Sequence, residues 1–300
     1  MSAKKFSSKN ITWIDIVDPS KKDIDELEKQ YKFHELDKEA LLEENQRARV
    51  DTYDDYIFVV LHFPRYDVRS KRYVTDEFNI FLSKKYIISV RYFASNSINS
   101  MFDSYGNGKV DDNEINPGYI LYDMIDVMLD KVFRLLDKTS RDLRNIEGRI
   151  FQEAGKDLIS ELMIKKRNSI TLRHMLSPQI QVLKMLEIRT NSLFKDEFEV
   201  YFENLIDKLE KTSSEILIMQ ENIESMEDTL KSIFDMQTNI SVKYLTIFSA
   251  FMLPLTLVTG FFGMNLRSVP FNDILVYSIF SLVIVIMIIL LLYFIKNKKL

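Results

Sequence analysis

The spacing of apolar residues changes twice along the chain. Up to about residue 116, short runs rich in β-branched and aromatic residues at 11–18, 56–63, 77–83 and 86–92 read as strands. Between them, 21–31 and 36–44 read as helices, the first after the turn-forming Asp18-Pro19-Ser20. Beyond Pro117 the pattern is helical nearly throughout, over 119–153, 158–186 and from 197 onward. Near residue 241 the polar face thins out. Residues 244–262 and 274–295 are uncharged runs of about nineteen and twenty-two residues, each long enough at 1.5 Å per residue to cross a hydrocarbon layer of about 30 Å. The expected organisation is an α/β domain at 1–116, a helical region at 117–240 and a transmembrane hairpin at 241–300.

From Glu197 to Gly260 there is no glycine and a single proline, Pro254. One helix about 90 Å long is therefore predicted to run from the polar region into the first span. Alternating steps of four and three give Leu205, Leu209, Thr212, Ile216, Met219, Ile223, Met226, Leu230 and Ile233, a coiled-coil-like seam for packing. A shift of two residues turns about 200° to the opposite face. There the same steps give Glu221, Ser225, Asp228, Ser232, Asp235, Asn239, Val242, Thr246, Ser249, Leu253, Thr256 and Gly260. This stripe is acidic first, then amide-bearing, then small and hydroxylated through the apolar run. One reading is a solvated face that continues into a polar helix contact. The other is several copies around an axis, forming an oxygen-lined conduit that attracts cations.

The second span is almost wholly Ile, Leu, Val and Phe, as suits a helix against lipid. Thr246, Ser249, Thr256, Thr259 and Gly260 in the first belong instead at helix contacts or along water. Lys243 before the first span and Lys296, Lys298 and Lys299 after the second place the basic flanks on one side, so both termini are expected in the cytoplasm of a multi-pass cell-membrane protein. The start carries Lys4, Lys5 and Lys9 and has no apolar signal segment. The net charge of −4 gives no basic excess for nucleic acid, and the absence of cysteine excludes disulfides and thiolate metal sites. The mean hydropathy of −0.09 averages two unlike regions.

Gly263-Met264-Asn265 follows the first span directly. With NISVKYLTIFSAFMLPLTLVTGFFGMN, the short proline-containing loop, the second span and the lysine-rich end, it resembles the CorA family of magnesium and cobalt transporters. Fainter similarity reaches 46–63 and Tyr201-Phe202. The resemblance implies an α+β membrane protein, a funnel-shaped homopentamer in which five long helices surround one pore. It implies magnesium as the transported and regulatory ion, and no organic cofactor. It places ion selection at Gly263, Met264 and Asn265, a cytosolic-end asparagine ring at Asn239, and pore-lining or gating positions at Val242, Leu245, Leu253, Thr256 and Gly260. Of the pore-lining and gating positions all but Leu245 lie on the stripe, as do Asn239, Thr246 and Ser249. A neutral amide ring suits Mg²⁺, which prefers six oxygens and sheds its water reluctantly, because it can bond the water shell without holding the ion fast.

The resemblance also implies closure by cytosolic magnesium held between acidic residues. Asp228 matches such a position and Asp67 is the expected partner, whereas a further acidic position of the family is Asn204 here. The external loop carries Arg267 and lacks the acid usual beside its proline, here Pro270. A zinc or other divalent-cation transporter is the near alternative, and a membrane-anchored interaction protein the distant one. Residues 103–114 imitate a calcium loop, but Tyr105 stands where the third ligand belongs. His34, His62 and His174 lack ligand spacing, and no catalytic constellation is present, so no enzyme is expected.

Overall fold

The computed structural model describes residues 3–8, 11–43, 46–106, 115–152, 155–194, 198–264 and 272–296. The chain divides into two compact units, 1–227 and 228–300. The expected boundary at 116 falls inside the first.

The first unit is built on a six-stranded sheet of β1 (Ala3–Ser7), β2 (Thr12–Val17), β3 (Arg49–Thr52), β4 (Ile57–Asp67), β5 (Arg72–Leu82) and β6 (Tyr86–Arg91). Their order is β1-β2-β6-β5-β4-β3. Only the β2–β6 pair is parallel. Side chains alternate between the two faces of each strand, so both faces are apolar and each is covered by helices. On one face Ile14, Ile16, Phe58, Val60, Phe81, Ile88 and Val90 bury against α1 (Lys21–Tyr31) and α2 (Glu35–Leu42) through Ile24, Leu27, Ala40 and Leu41. Ser20 opens α1 with a capping box to Asp23, and Lys32 closes it in the left-handed conformation.

The opposite face carries Trp13, Leu61, Phe63, Phe78 and Ile80. It lies under α3 (Asn96–Gly106), α4 (Pro117–Arg149), α5 (Lys156–Leu176) and α6 (Gln179–Phe194). The Trp13 ring lies 4.6 Å from Phe102 and 5.7 Å from Tyr105 of α3. At the β2–β6 junction this face holds an ion pair with both partners at zero exposure. The Arg91 guanidinium donates to both carboxylate oxygens of Asp15, at 3.1 and 2.8 Å. It also donates to the Phe93 carbonyl at 2.9 Å and to Asn99 Oδ1 at 2.7 Å. Ser89 donates to Asp15 at 2.7 Å and accepts from the Trp13 indole at 3.1 Å, so charges and neighbouring dipoles are matched.

Two long helices complete the chain, α7 (Glu199–Gly263) and α8 (Asp273–Lys296). Close approach of α4 to the chain entering α7 depends on one glycine. A Cβ on Gly118 would meet the Phe198 ring at 2.6 Å, and Phe198 is fully buried. Gly118→Ala is therefore expected to cost about 1–3 kcal/mol by overpacking. Thermal unfolding of the purified variant measures it, and the added Phe198→Leu change should restore most of the loss.

Several elements differ from expectation. The helix expected over 158–186 is two, since Ser177-Pro178 separates α5 from α6: a proline ring clashes with the preceding turn. Strands β1 and β3 and helix α3 were not anticipated, and β4 and β5 run longer as a hairpin that projects past β3. Pro64 sits in that projecting part of β4, which β3 does not pair. The Gln179 side chain covers the adjoining edge, accepting from the His62 N–H at 2.8 Å and donating to its carbonyl at 2.6 Å.

Candidate functional site: the long helix

Helix α7 is continuous over 65 residues, about 97 Å at 1.5 Å per residue. The seam read from the sequence is its packing face: Leu205, Leu209, Thr212, Ile216, Met219, Ile223, Met226 and Leu230 are buried, and Ile233 is half-buried. Polar ties reinforce it. Lys208 bonds Asp126 and, at 3.3 Å, Asp130; Lys184 meets Glu210 at 2.8 Å and Lys166 meets Glu227 at 2.6 Å.

The opposite stripe is exposed along its whole length: Glu221, Ser225, Asp228, Ser232, Asp235, Asn239, Val242, Thr246, Ser249, Leu253, Thr256 and Gly260, together with Leu245. The best apolar window of α7 has a mean hydropathy of 1.9 and none of it is buried. It satisfies the length and composition of a membrane span. The described apolar part of α8 runs from Asp273 to Ile289. Asn272 caps α8, its Oδ1 accepting from the Ile274 N–H at 3.3 Å.

Three hydroxyls on this stripe are oriented by the helix itself. Thr246 donates to the Val242 carbonyl at 2.8 Å, Thr256 to Met252 at 2.7 Å and Ser232 to Asp228 at 2.9 Å. Each hydroxyl proton is thus used inside its own turn, and the oxygen that remains is an acceptor. Pro254 lies within the helix and donates no hydrogen bond to the Ala250 carbonyl. A Cβ added at Gly260 or at Gly263 would meet nothing within 4 Å. Met264 follows in a turn, its N–H directed at the Phe261 carbonyl at 3.3 Å. Asn265, with Arg267 and Pro270, lies outside the described residues, as does most of the calcium-loop look-alike.

Of the expected regulatory residues, Asp228 is exposed on α7 in the second unit, and Asp67 ends β4 in the first. The Asp67 carboxylate caps the β4–β5 turn, accepting from the Arg69 and Ser70 N–H groups at 3.2 Å and from the Ser70 hydroxyl at 2.6 Å. Those bonds, led by the Ser70 hydroxyl, hold its pKa below the usual carboxylate range. Asn204 donates to the Tyr122 hydroxyl at 3.0 Å. A group of acids that the sequence reading missed, Glu187, Glu199 and Glu203, brings carboxylate oxygens within 4.8 Å of one another. The pairing of Glu199 with Glu203 four residues on, like charges on one helix face, was its only signal in the sequence.

A model of the family described as CorA-like Mg²⁺ transporter protein matches residues 8–297. The cobalt/magnesium transport protein CorA of Thermotoga maritima is 25% identical over 299 residues, covering 96% of this chain and 83% of the relative. The complete structure of the CorA magnesium transporter from Methanocaldococcus jannaschii superposes with a TM-score of 0.82 at 18% identity, covering 95% of this chain and 91% of that one. The full-length CmaX protein gives a TM-score of 0.77 at 19% identity, covering 96% and 88%.

Proposed function

Because this chain belongs to the family of CorA-like Mg²⁺ transporter proteins, divalent-cation transporters and not enzymes, we propose that it forms a homopentameric channel for passive uptake of hydrated Mg²⁺, and of Co²⁺ as a secondary ion. Its two apolar helices span the cell membrane and both termini face the cytoplasm. The observation that carries this reading is the exposed stripe of α7, which presents oxygen acceptors on one face of an unbroken helix through its apolar segment. Five copies around an axis turn that stripe inward. Glu221, Asp228 and Asp235 supply negative potential at the cytosolic side, Asn239 an amide ring, Val242, Leu245 and Leu253 apolar constrictions, and Thr246, Ser249, Thr256 and Gly260 the wall between.

Asn265, beside Gly263 and Met264, forms the outer ring that bonds the water shell of the arriving ion. Uptake needs no fuel. An inside-negative potential contributes about 2.3 kcal/mol per charge per 100 mV, twice over for a divalent ion. Cytosolic Mg²⁺ feeds back through Asp228 and Asp67, with Asn204 contributing a neutral amide where the family has an acid.

Complementation of a magnesium-uptake-deficient strain tests this reading, with liposome uptake of Mg²⁺, Co²⁺ and Zn²⁺ beside it. The wild type should restore growth and carry Mg²⁺; Asn265→Ala should do neither while assembling normally. Rescue by both overturns the ion site, and uptake of Zn²⁺ in preference to Mg²⁺ replaces the ion while keeping the passage.

A further inference from the structure

The sheet ends at β3, and the outer edge of that strand is bare. The turn into β4 fixes which groups lie there. The Tyr53 N–H donates to the Tyr56 carbonyl at 2.9 Å, so in the antiparallel register Asp51 with Phe58 and Arg49 with Val60 form the hydrogen-bonded pairs. The N–H and C=O groups of Val50 and Thr52 therefore point away from β4. Among the described residues nothing bonds to them. An unpaired edge of this kind is a template for another strand.

The same edge lies in a groove of about 720 Å³, between Leu36 and Ala40 of α2 on one face of the sheet and Met185 and Arg189 of α6 on the other. The two walls differ in charge. Arg49 and Asp51, opposite Val60 and Phe58, lie on the α2 side and neutralise each other at 2.6 Å. That leaves Glu39 and Glu43, both exposed and without an ion-pair partner among the described residues, as the charges of this wall. On the α6 side stand Val50 and the exposed Met185, with Arg189 also unpaired among the described residues. The α2 wall is held to the hairpin, since the buried Asp37 carboxylate accepts from the Tyr53 hydroxyl at 3.0 Å and from the Tyr56 hydroxyl at 2.6 Å.

We propose that this groove takes an extended segment of a partner protein as an added strand beside β3, one in which basic residues alternate with apolar ones. Main-chain bonds to Val50 and Thr52 hold the segment, and the alternation selects it. Its basic residues face Glu39 and Glu43, and its apolar residues face Val50 and Met185. A slip of one residue exchanges the faces and sets cations against Arg189, so register and sequence are read together. The groove lies within the first unit and does not depend on what α7 conducts.

Full-length protein purified in detergent serves for the test, with a fluorescein-labelled hexapeptide of alternating Lys and Val read by anisotropy. The wild type should bind it saturably. Along an added strand every second N–H faces β3, so N-methylation of all the Val nitrogens and of all the Lys nitrogens should differ: one abolishes binding and the other leaves it. Val50→Pro removes an outward N–H and no ladder bond; it should weaken binding at least tenfold with unchanged circular dichroism. Glu39→Gln with Glu43→Gln changes exposed side chains only and should weaken it likewise. Absence of binding to the wild type, equal affinity for the two methylated peptides, or undiminished binding by Val50→Pro each overturns the proposal. Loss in the glutamine variant alone signifies charge attraction without strand addition, and overturns it too.

Discussion

Gly260→Leu is expected to abolish divalent-cation flux in a chain that folds at least as well as the original. A side chain at Gly260 meets nothing within 4 Å on its own protomer, and leucine is favoured over glycine in a helix interior by about 0.8–1 kcal/mol. The chain's own packing offers no reason for loss of function. In the proposed pentamer, however, five isobutyl groups would converge on one level of the passage and exclude an ion that keeps its waters. Val258→Leu is the matching control: two residues back, it lies about 200° away around the helix. Magnesium-dye uptake into liposomes and circular dichroism together measure the outcome. Undiminished flux in Gly260→Leu places this face away from the ion path and overturns the arrangement proposed for α7.

The largest effect on stability is expected at Asp15. In Asp15→Asn the Arg91 guanidinium keeps its charge at zero exposure and loses its counter-ion, a change that costs about 3–5 kcal/mol. Against a typical total of about 5–15 kcal/mol, that is enough to leave much of the first unit unfolded at growth temperature. Converting both partners, Asp15→Leu with Arg91→Met, removes the stranded charge and is expected to recover most of the loss. Thermal unfolding of the three variants tests the point. A double variant no more stable than Asp15→Asn would show that the hydrogen bonds to Phe93 and Asn99, rather than the charge, hold this junction together.

Hydropathy and period account for what could be read from residues alone. The seam of α7 and the limits of α1 were legible because burial follows a single helical face and Ser20 with Asp23 marks a start. The edge strands β1 and β3 were not, since an edge buries little and so needs little apolar alternation: Lys4 and Lys5 are exposed within β1. Helix α3 did carry a signal, with Ile98, Phe102 and Tyr105 spaced four and three apart, but its polar surroundings masked it. The helix break at Ser177-Pro178 was marked too, and the periodicity on either side concealed it. At the site, the stripe was legible from spacing. That Asp15 and Arg91 form a buried pair was not, because strand charges give no hint of their partners 76 positions away.

The inward-turned hydroxyl protons of Thr246 and Thr256 carry a consequence for charge selection. Water around a cation points its hydrogens outward, and water around chloride points them inward. At the levels of Thr246 and Thr256, a lining that only accepts hydrogen bonds therefore suits the first shell and offers nothing to the second. In the passage proposed above, those two levels would turn anions away by the polarity of hydration, with no carboxylate inside the apolar segment.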